Sequence, residues 1–176
     1  GAGKSICYQL PAVMSEGITL VISPLISLMQ DQVKALKENG IRAAYINSSL
    51  TESQISKALF LAKKGTYKII YVSPERLENF EFISFAQSIN ISMITVDEAH
   101  CVSQWGYDFR PSYLKIRSFT SILKKRPIIS AFTATATEDV KNDIINLLGL
   151  KNPTVVATGF DRKNLHYSVV KPPQKD

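Results

Sequence analysis

Apolar positions recur with two different periods along this chain, and the two periods alternate. Short runs rich in β-branched and aliphatic residues predict strands over residues 18–23, 43–46, 68–72, 92–96, 128–132 and 154–157. Between these runs, a helical period of apolar positions predicts helices over residues 25–38, 52–63, 112–123 and 138–147. Strands that alternate with helices are typical of a three-layer α/β domain, in which a mostly parallel sheet carries helices on both faces.

Residues at the helix ends support these boundaries. Thr51 and Gln54 have the spacing of a capping box, and Thr137 is a good N-cap for the last predicted helix. Gly40 falls just past the end of the first predicted helix, where a left-handed residue is favoured. The helix ends are therefore marked independently of the apolar period.

Length and composition restrict the classes of protein to which this chain can belong. A chain of 176 residues is long enough for one domain with a sizeable core. No apolar run is long enough to span a membrane, so we expect no membrane partner. Cys7 and Cys101 lie far apart and have no metal-ligand spacing, which favours reduced thiols in a cytoplasmic protein. A net charge of +6 is compatible with a polyanionic partner, but the lysines are spread along the chain and decide nothing alone.

Two adjacent carboxylates, Asp97 and Glu98, directly follow the predicted strand 92–96. Carboxylates at the end of a buried strand are unfavourable unless a cation or a proton compensates their charge. A Mg²⁺ ion beside nucleotide phosphates would be such a cation, with Asp97 holding the ion and Glu98 polarising the attacking water. The alternative is an acidic pair at a helix N-terminus, which the helix dipole favours.

The first residues of the chain are suited to binding those phosphates. In the segment Gly1-Ala2-Gly3-Lys4-Ser5, the glycines allow backbone N–H groups to approach phosphate oxygens. Lys4 would reach the outer phosphates and the Ser5 hydroxyl would bind Mg²⁺. A simple helix start is the alternative for so short a segment. The full phosphate-loop pattern needs a glycine five positions before Gly3, so we expect this chain to begin inside the motif and to lack its first strand.

A loop rich in aromatic residues follows the carboxylates. Residues 104–111 hold Gln104, Trp105, Tyr107, Asp108, Phe109 and Arg110. Aromatic rings on a loop favour stacking with nucleobases, and an arginine beside them favours a phosphate contact. The alternative is a hydrophobic cluster that fixes the loop. If the loop binds a polymer, its position beside the carboxylates predicts coupling between that polymer and hydrolysis.

Hydroxyl groups follow three further strands of the predicted sheet. Thr133 and Thr135 come after the strand 128–132, where they could bond His100 and relay the state of the nucleotide. Ser23 and Ser73 each begin a strand-end Ser-Pro pair, and Arg76 follows the second pair. These groups could bind the backbone phosphates of a nucleic acid. Ordinary helix capping explains the same residues almost as well.

Taken in order, these segments resemble the first RecA-like domain of the RecQ family of superfamily 2 DNA helicases. The matching strings are GAGKSICYQLPA, SPLISLMQDQV, YVSPERL, VDEAHCVSQWGYDFRPSYLKI, AFTATAT and TGFDRKNLHYSV. The continuation SQWG-x-DFRP after the DEAH box is the most specific of these, since other DEAH-type helicases lack it. The resemblance implies a P-loop NTPase domain that uses ATP and Mg²⁺ for 3′→5′ DNA unwinding in repair and recombination.

The resemblance also implies a role for most of the candidate residues. It implies that the nucleotide phosphates contact Gly1, Gly3, Lys4 and Ser5, and that Mg²⁺ contacts Ser5 and Asp97. It implies that catalysis involves Lys4, Asp97, Glu98 and His100. It implies that the loop with Gln104, Trp105, Asp108, Phe109 and Arg110 senses single-stranded DNA. From the residues themselves we also expect roles in DNA binding or coupling for Ser23, Ser73, Arg76, Thr133 and Thr135. The implied partners are single-stranded and partially duplex DNA and a second RecA-like domain.

The chain departs from the family pattern at a few positions and in its extent. Members commonly have His where Tyr107 stands, Lys where Gln30 stands and Pro where Lys163 stands.

We expect residues 1–165 to form the first RecA-like domain and residues 166–176 to begin the connection to the second. Alone, this fragment should be inactive, while the parent would be cytoplasmic, or nucleoid-associated in a bacterium. Two alternatives stay open, another superfamily 2 translocase such as an RNA helicase, and a nucleic-acid-binding module without catalysis.

Overall fold

A five-stranded sheet forms the centre of the computed structural model, which describes residues 3–157, 166, 168 and 169. The strands are Ile18–Ile22 (β1), Ala43–Ile46 (β2), Ile69–Val72 (β3), Ile91–Val96 (β4) and Ile128–Ala131 (β5). The α-helices are Lys4–Met14 (α1), Ile26–Glu38 (α2), Glu52–Lys63 (α3), Phe80–Ser88 (α4), Lys115–Ser121 (α5) and Glu138–Leu147 (α6). Short 3₁₀ helices cover Pro74–Glu78, Ala99–Val102 and Pro111–Leu114.

All neighbouring strands of the sheet are parallel, in the order β2-β3-β1-β4-β5. The last residues of the strands are in register, because Ile22 pairs with both Val72 and Val96, and Val96 pairs with Ala131. The segments that follow the strands therefore meet at one edge. In open parallel sheets, this carboxyl edge is where ligands bind.

Helices cover both faces of the sheet, as the alternation of strand residues requires. Leu20 and Ile22 point to the face packed against α3, α4, α5 and α6, while Val21 points to the face packed against α1 and α2. Phe82 and Phe119 stack at 5.9 Å between ring centroids in the larger of these two cores. The predicted three-layer α/β fold is confirmed.

Most of the predicted elements form, with two differences. The predicted helix 112–123 divides into the 3₁₀ helix Pro111–Leu114 and α5. The strand predicted over residues 154–157 is wrong, since these residues are exposed and pair with no strand among the described residues. β-branched residues there satisfy the strand pattern, but a strand also requires a hydrogen-bonding neighbour.

Helix ends follow the predicted caps. The Thr51 side chain accepts from the backbone N–H of Gln54, and the two residues form a complete capping box. Thr137 accepts from the N–H of Val140 at the start of α6. No helix among the described residues has both the length and the apolar character needed to cross a bilayer. Gly1 and residues 170–176 lie outside the described residues.

Candidate functional site

The segment after β4 is fixed between its two neighbouring strands. The N–H of Asp97 donates to the Ile22 carbonyl of β1 at 2.9 Å, and the N–H of Ala99 donates to the Phe132 carbonyl beyond β5 at 2.8 Å. The sheet backbone therefore determines where the candidate carboxylates lie, at the centre of the carboxyl edge.

Glu98 adopts a left-handed backbone conformation, with φ 47° and ψ 47°. Such a conformation costs a residue with a side chain about 1 to 3 kcal/mol, and it persists only where the surrounding structure enforces it. Here the N–H of Glu98 donates to the Asp97 Oδ1 at 3.0 Å, and the Glu98 carbonyl accepts from Cys101 at 2.9 Å. These two hydrogen bonds hold the turn in its left-handed conformation.

The two carboxylates are buried to different degrees. Asp97 is only 7% exposed, and burial raises the pKa of its carboxyl group, with repulsion from Glu98 adding to the shift and the Lys4 charge opposing it. One carboxylate oxygen of Glu98, Oε2, is buried and makes no hydrogen bond, although Nδ1 of His100 lies 3.4 Å away. A buried carboxylate beside an unsatisfied carboxylate oxygen is a site that a cation and ordered water would stabilise.

The His100 ring is held in one orientation. Its Nδ1 lies 2.9 Å from the Thr133 hydroxyl, which itself donates to the Thr135 carbonyl and accepts from the Thr135 N–H. Burial lowers the pKa of His100, so the neutral ring predominates at neutral pH. Tyr107 stacks on the ring at 4.3 Å.

The predicted phosphate loop leads into α1 at the same edge. Gly3 is the N-cap of α1 with φ 70°, a left-handed conformation that glycine adopts without strain. Tyr8 and Ala12 bury one side of α1 against the sheet. The positive charge of Lys4 lowers the pKa of both Asp97 and His100, so the ammonium group acts on the site electrostatically, and among the described residues it forms no ion pair with either carboxylate. Gly1, predicted to contact the nucleotide, lies outside the described residues.

The aromatic loop has an exposed tip and a fixed base. Trp105 and Tyr107 are 79% and 77% exposed, whereas Phe109 is half-buried. At the base, the buried Ser103 hydroxyl donates to Asp143 of α6 at 2.6 Å and accepts from the N–H of Trp105 at 3.1 Å. The structure therefore presents two rings to solvent on a loop whose root is part of the fold.

Arg110 makes its contacts within the protein. Its Nε and Nη2 donate to Asp108 Oδ2 at 3.1 and 3.0 Å, and its Nη1 donates to the Pro24 carbonyl at 3.3 Å. The predicted contact of Arg110 with a phosphate would compete with these three bonds, and it stays a prediction. Arg110 connects the aromatic loop to the segment after β1.

The remaining predicted residues differ in accessibility. Ser23 and Ser73 are buried, and the Ser23 hydroxyl has no hydrogen-bond partner. Arg76 is half-buried and donates to the Asn47 carbonyl at 3.4 Å, while Gln104 is exposed. All four lie on segments that follow the carboxyl ends of strands, and their contacts with DNA stay predictions.

Some residues of the site were missed by sequence reasoning. Tyr113 is wholly buried, and its hydroxyl donates to the Asp97 carbonyl at 3.0 Å. The Ser103–Asp143 bond was missed as well. No local signal distinguishes the buried Tyr113 from the exposed Tyr107, because both belong to one short aromatic-rich segment.

A parallel α/β sheet with a glycine-capped helix, a lysine and paired carboxylates at its carboxyl edge defines a P-loop NTPase domain. The chain belongs to the DEAD/DEAH box helicase family, whose model matches residues 1–143. It is 53% identical to the ATP-dependent DNA helicase RecQ of Bacillus subtilis, over 100% of this chain and 30% of that protein. It is 46% identical to RecQ of Pasteurella multocida, over 97% of this chain and 27% of that protein. The predicted resemblance to the RecQ family is confirmed.

A solved structure shows the same fold. The DUF1998 helicase MrfA, determined with DNA and AMPPNP, matches 84% of this chain and 22% of its own with a TM-score of 0.66 and 21% sequence identity. The chain spans 30% of the length of the Bacillus relative, so it corresponds to one part of such a protein.

Proposed function

We propose that this chain is the first motor domain of a RecQ-type helicase, which uses ATP to move 3′→5′ along single-stranded DNA in repair and recombination. The observation that carries the proposal is the buried Asp97 and the left-handed Glu98 at the carboxyl edge of the sheet, beside an exposed aromatic loop. The proposed partners are single-stranded and partially duplex DNA and a second RecA-like domain.

The nucleotide would lie across the start of α1. Gly3, Lys4 and Ser5 would hold its phosphates through backbone N–H groups, an ammonium group and a hydroxyl. Asp97 and Ser5 would hold Mg²⁺, because Asp97 is only 7% exposed and a cation would offset the cost of burying its charge. Among the described residues, no cluster of three or more His, Cys, Asp or Glu side chains could hold a metal. A Mg²⁺ site with few protein ligands that uses substrate phosphates matches this arrangement. When bound, the ion would neutralise charge on the phosphates.

Glu98 would orient and deprotonate the attacking water. The Glu98 side chain is 23% exposed, so water can approach its carboxylate, while its Oε2 atom is buried and has no hydrogen-bond partner. His100 stands beside this oxygen, and its Nδ1 contacts the Thr133 hydroxyl. The ring thus joins the carboxylate to the segment after β5, through which we infer that the state of the nucleotide is sensed.

The aromatic loop would bind single-stranded DNA by stacking of bases on Trp105 and Tyr107. Tyr107 already stacks on His100, so movement of the loop tip acts directly on a side chain beside Glu98. The contact provides a physical route from bound DNA to hydrolysis.

The test of this function uses the complete protein that contains this domain. We expect Mg²⁺-dependent ATP hydrolysis that single-stranded DNA stimulates at least about ten-fold more than RNA of equal length. We also expect ATP-dependent unwinding of a duplex with a 3′ single-stranded tail. Stimulation by RNA alone would support the RNA-helicase alternative, and DNA binding without hydrolysis would support a non-catalytic module.

Arg110 and Arg76 offer a matched comparison of two arginines. We expect Arg110→Gln to reduce DNA-stimulated ATPase and to leave the salt dependence of DNA binding unchanged, because Asp108 already neutralises this guanidinium. We expect Arg76→Gln to reduce the slope of log K against log salt by about 0.7, the value for one lost contact to single-stranded DNA. Fluorescence anisotropy titrations between low and moderate salt measure both slopes. A reduced slope for Arg110→Gln would assign that arginine to a phosphate.

A further inference from the structure

Tyr113 differs from the other aromatic residues that follow the carboxylates. Trp105 and Tyr107 are exposed, whereas Tyr113 is wholly buried in the core beneath the loop. Its hydroxyl donates to the Asp97 carbonyl at 3.0 Å. Tyr113 therefore contacts the candidate catalytic turn from the inside of the protein.

The group that Tyr113 holds belongs to the peptide between Asp97 and Glu98. The orientation of this peptide is set by ψ of Asp97 and φ of Glu98, and the latter is the strained, left-handed angle. The N–H groups of Asp97 and Ala99 on either side are fixed by Ile22 and Phe132 of neighbouring strands. The Tyr113 hydroxyl fixes the carbonyl that lies between these two anchor points.

Removing the hydroxyl would act on this turn in a specific way. The Asp97 carbonyl would lose a buried hydrogen bond, and the peptide could rotate to relieve the left-handed strain at Glu98. Such a rotation would move the Glu98 carboxylate, while the aromatic ring of residue 113 would keep the core packed.

We propose that Tyr113 is a positioning residue, whose hydroxyl holds the Asp97–Glu98 peptide so that the Glu98 carboxylate faces the attacking water. The inference rests on the proposed ATPase function. Tyr113 also lies in the 3₁₀ helix that ends the aromatic loop, and its N–H donates to the Arg110 carbonyl at 2.9 Å. Tyr113 thus joins the base of the aromatic loop to the turn at Asp97 and Glu98.

The test compares Tyr113→Phe with Tyr71→Phe in the complete protein. Because the Tyr71 hydroxyl bonds Tyr8 of the helix that follows the phosphate loop, Thr120→Val is added as a control remote from that loop. Thr120 is buried and its hydroxyl donates to the Arg117 carbonyl at 2.8 Å, so this variant also loses one buried hydroxyl.

For Tyr113→Phe we expect kcat to fall about ten-fold with KM for ATP within about two-fold of wild type. We also expect amide exchange in residues 97–101 to accelerate about ten-fold by mass spectrometry. Thr120→Val should change neither quantity, and Tyr71→Phe should leave exchange at residues 97–101 unchanged.

Together, kcat and amide exchange at residues 97–101 distinguish a positioning role of Tyr113 from a purely structural one. Faster exchange at the turn together with reduced kcat supports the proposal. Wild-type kcat in Tyr113→Phe overturns it, and so does reduced kcat without a change of exchange at the turn. An equal loss of kcat in Tyr113→Phe and Thr120→Val also overturns it, because the effect would then be a general loss of stability. A wild-type protein without Mg²⁺-dependent ATPase contradicts the proposed function, which the exchange measurement does not depend on.

Discussion

Glu98→Gln should lower kcat for ATP hydrolysis by about 10²- to 10⁴-fold, the range for loss of a general base. Glutamine keeps the size of the side chain and removes its charge and its basicity. The substitution leaves Gly3, Lys4 and Ser5 unchanged, so KM for ATP should stay within about three-fold of wild type. Steady-state ATPase kinetics with saturating single-stranded DNA measure both quantities.

A matched control for this variant is Glu78→Gln. Glu78 forms a surface ion pair with Lys115 at 2.9 Å, and both side chains are largely exposed. Loss of such a pair costs about 0 to 1 kcal/mol, so Glu78→Gln should retain full activity. If Glu98→Gln kept more than about a tenth of the wild-type kcat, the proposed role of Glu98 as the base would be wrong.

Gly106→Ala should disconnect the aromatic loop from the catalytic turn. A Cβ at Gly106 would lie 2.3 Å from the His100 carbonyl oxygen and 3.1 Å from that of Ser103, and both are backbone atoms of the segment after Glu98. The loop must move away to relieve this contact, which separates Tyr107 from the His100 ring. We expect stimulation of the ATPase by single-stranded DNA to fall about ten-fold and stability to fall by about 1 to 3 kcal/mol.

The control for the loop variant is Gly40→Ala, at the end of α2. Gly40 has φ 74° and open space around its Cβ position, so alanine there introduces backbone strain without a steric clash. A stability loss of about 1 to 2 kcal/mol with normal DNA stimulation is expected. Normal stimulation in Gly106→Ala as well would show that the loop does not need its close approach to His100.

The order of the elements could be predicted from the sequence because the signals are local. The period of the apolar positions, the length of each element and the N-caps Thr51 and Thr137 can all be recognised within short stretches of sequence. The helix α4 was missed because its sequence FEFISFAQS has only nine residues, fewer than the window over which a helical period of apolar positions becomes clear. Its N-cap, Asn79, accepts from the Phe82 N–H and was the signal that could have found it.

The candidate site was predicted less completely, since most of its contacts join distant segments. The rule for parallel sheets predicted that Lys4 and Asp97 would lie at the same edge of the sheet, and their joint contact with a nucleotide stays a prediction. The bonds of Arg110 to Pro24 and of Tyr113 to Asp97 depend on the path of the loop, which residue types alone do not determine. The left-handed Glu98 was not predictable either, because glutamate has no preference for that conformation.

The exposed position of Trp105 has a practical consequence. It is the single tryptophan among these 176 residues, and its ring is 79% in contact with solvent at the tip of the loop. Indole emission from this domain therefore comes from the loop alone. A nucleobase that stacks on the ring would quench the emission, and a stopped-flow fluorimeter could follow the arrival of DNA at the loop without any attached dye.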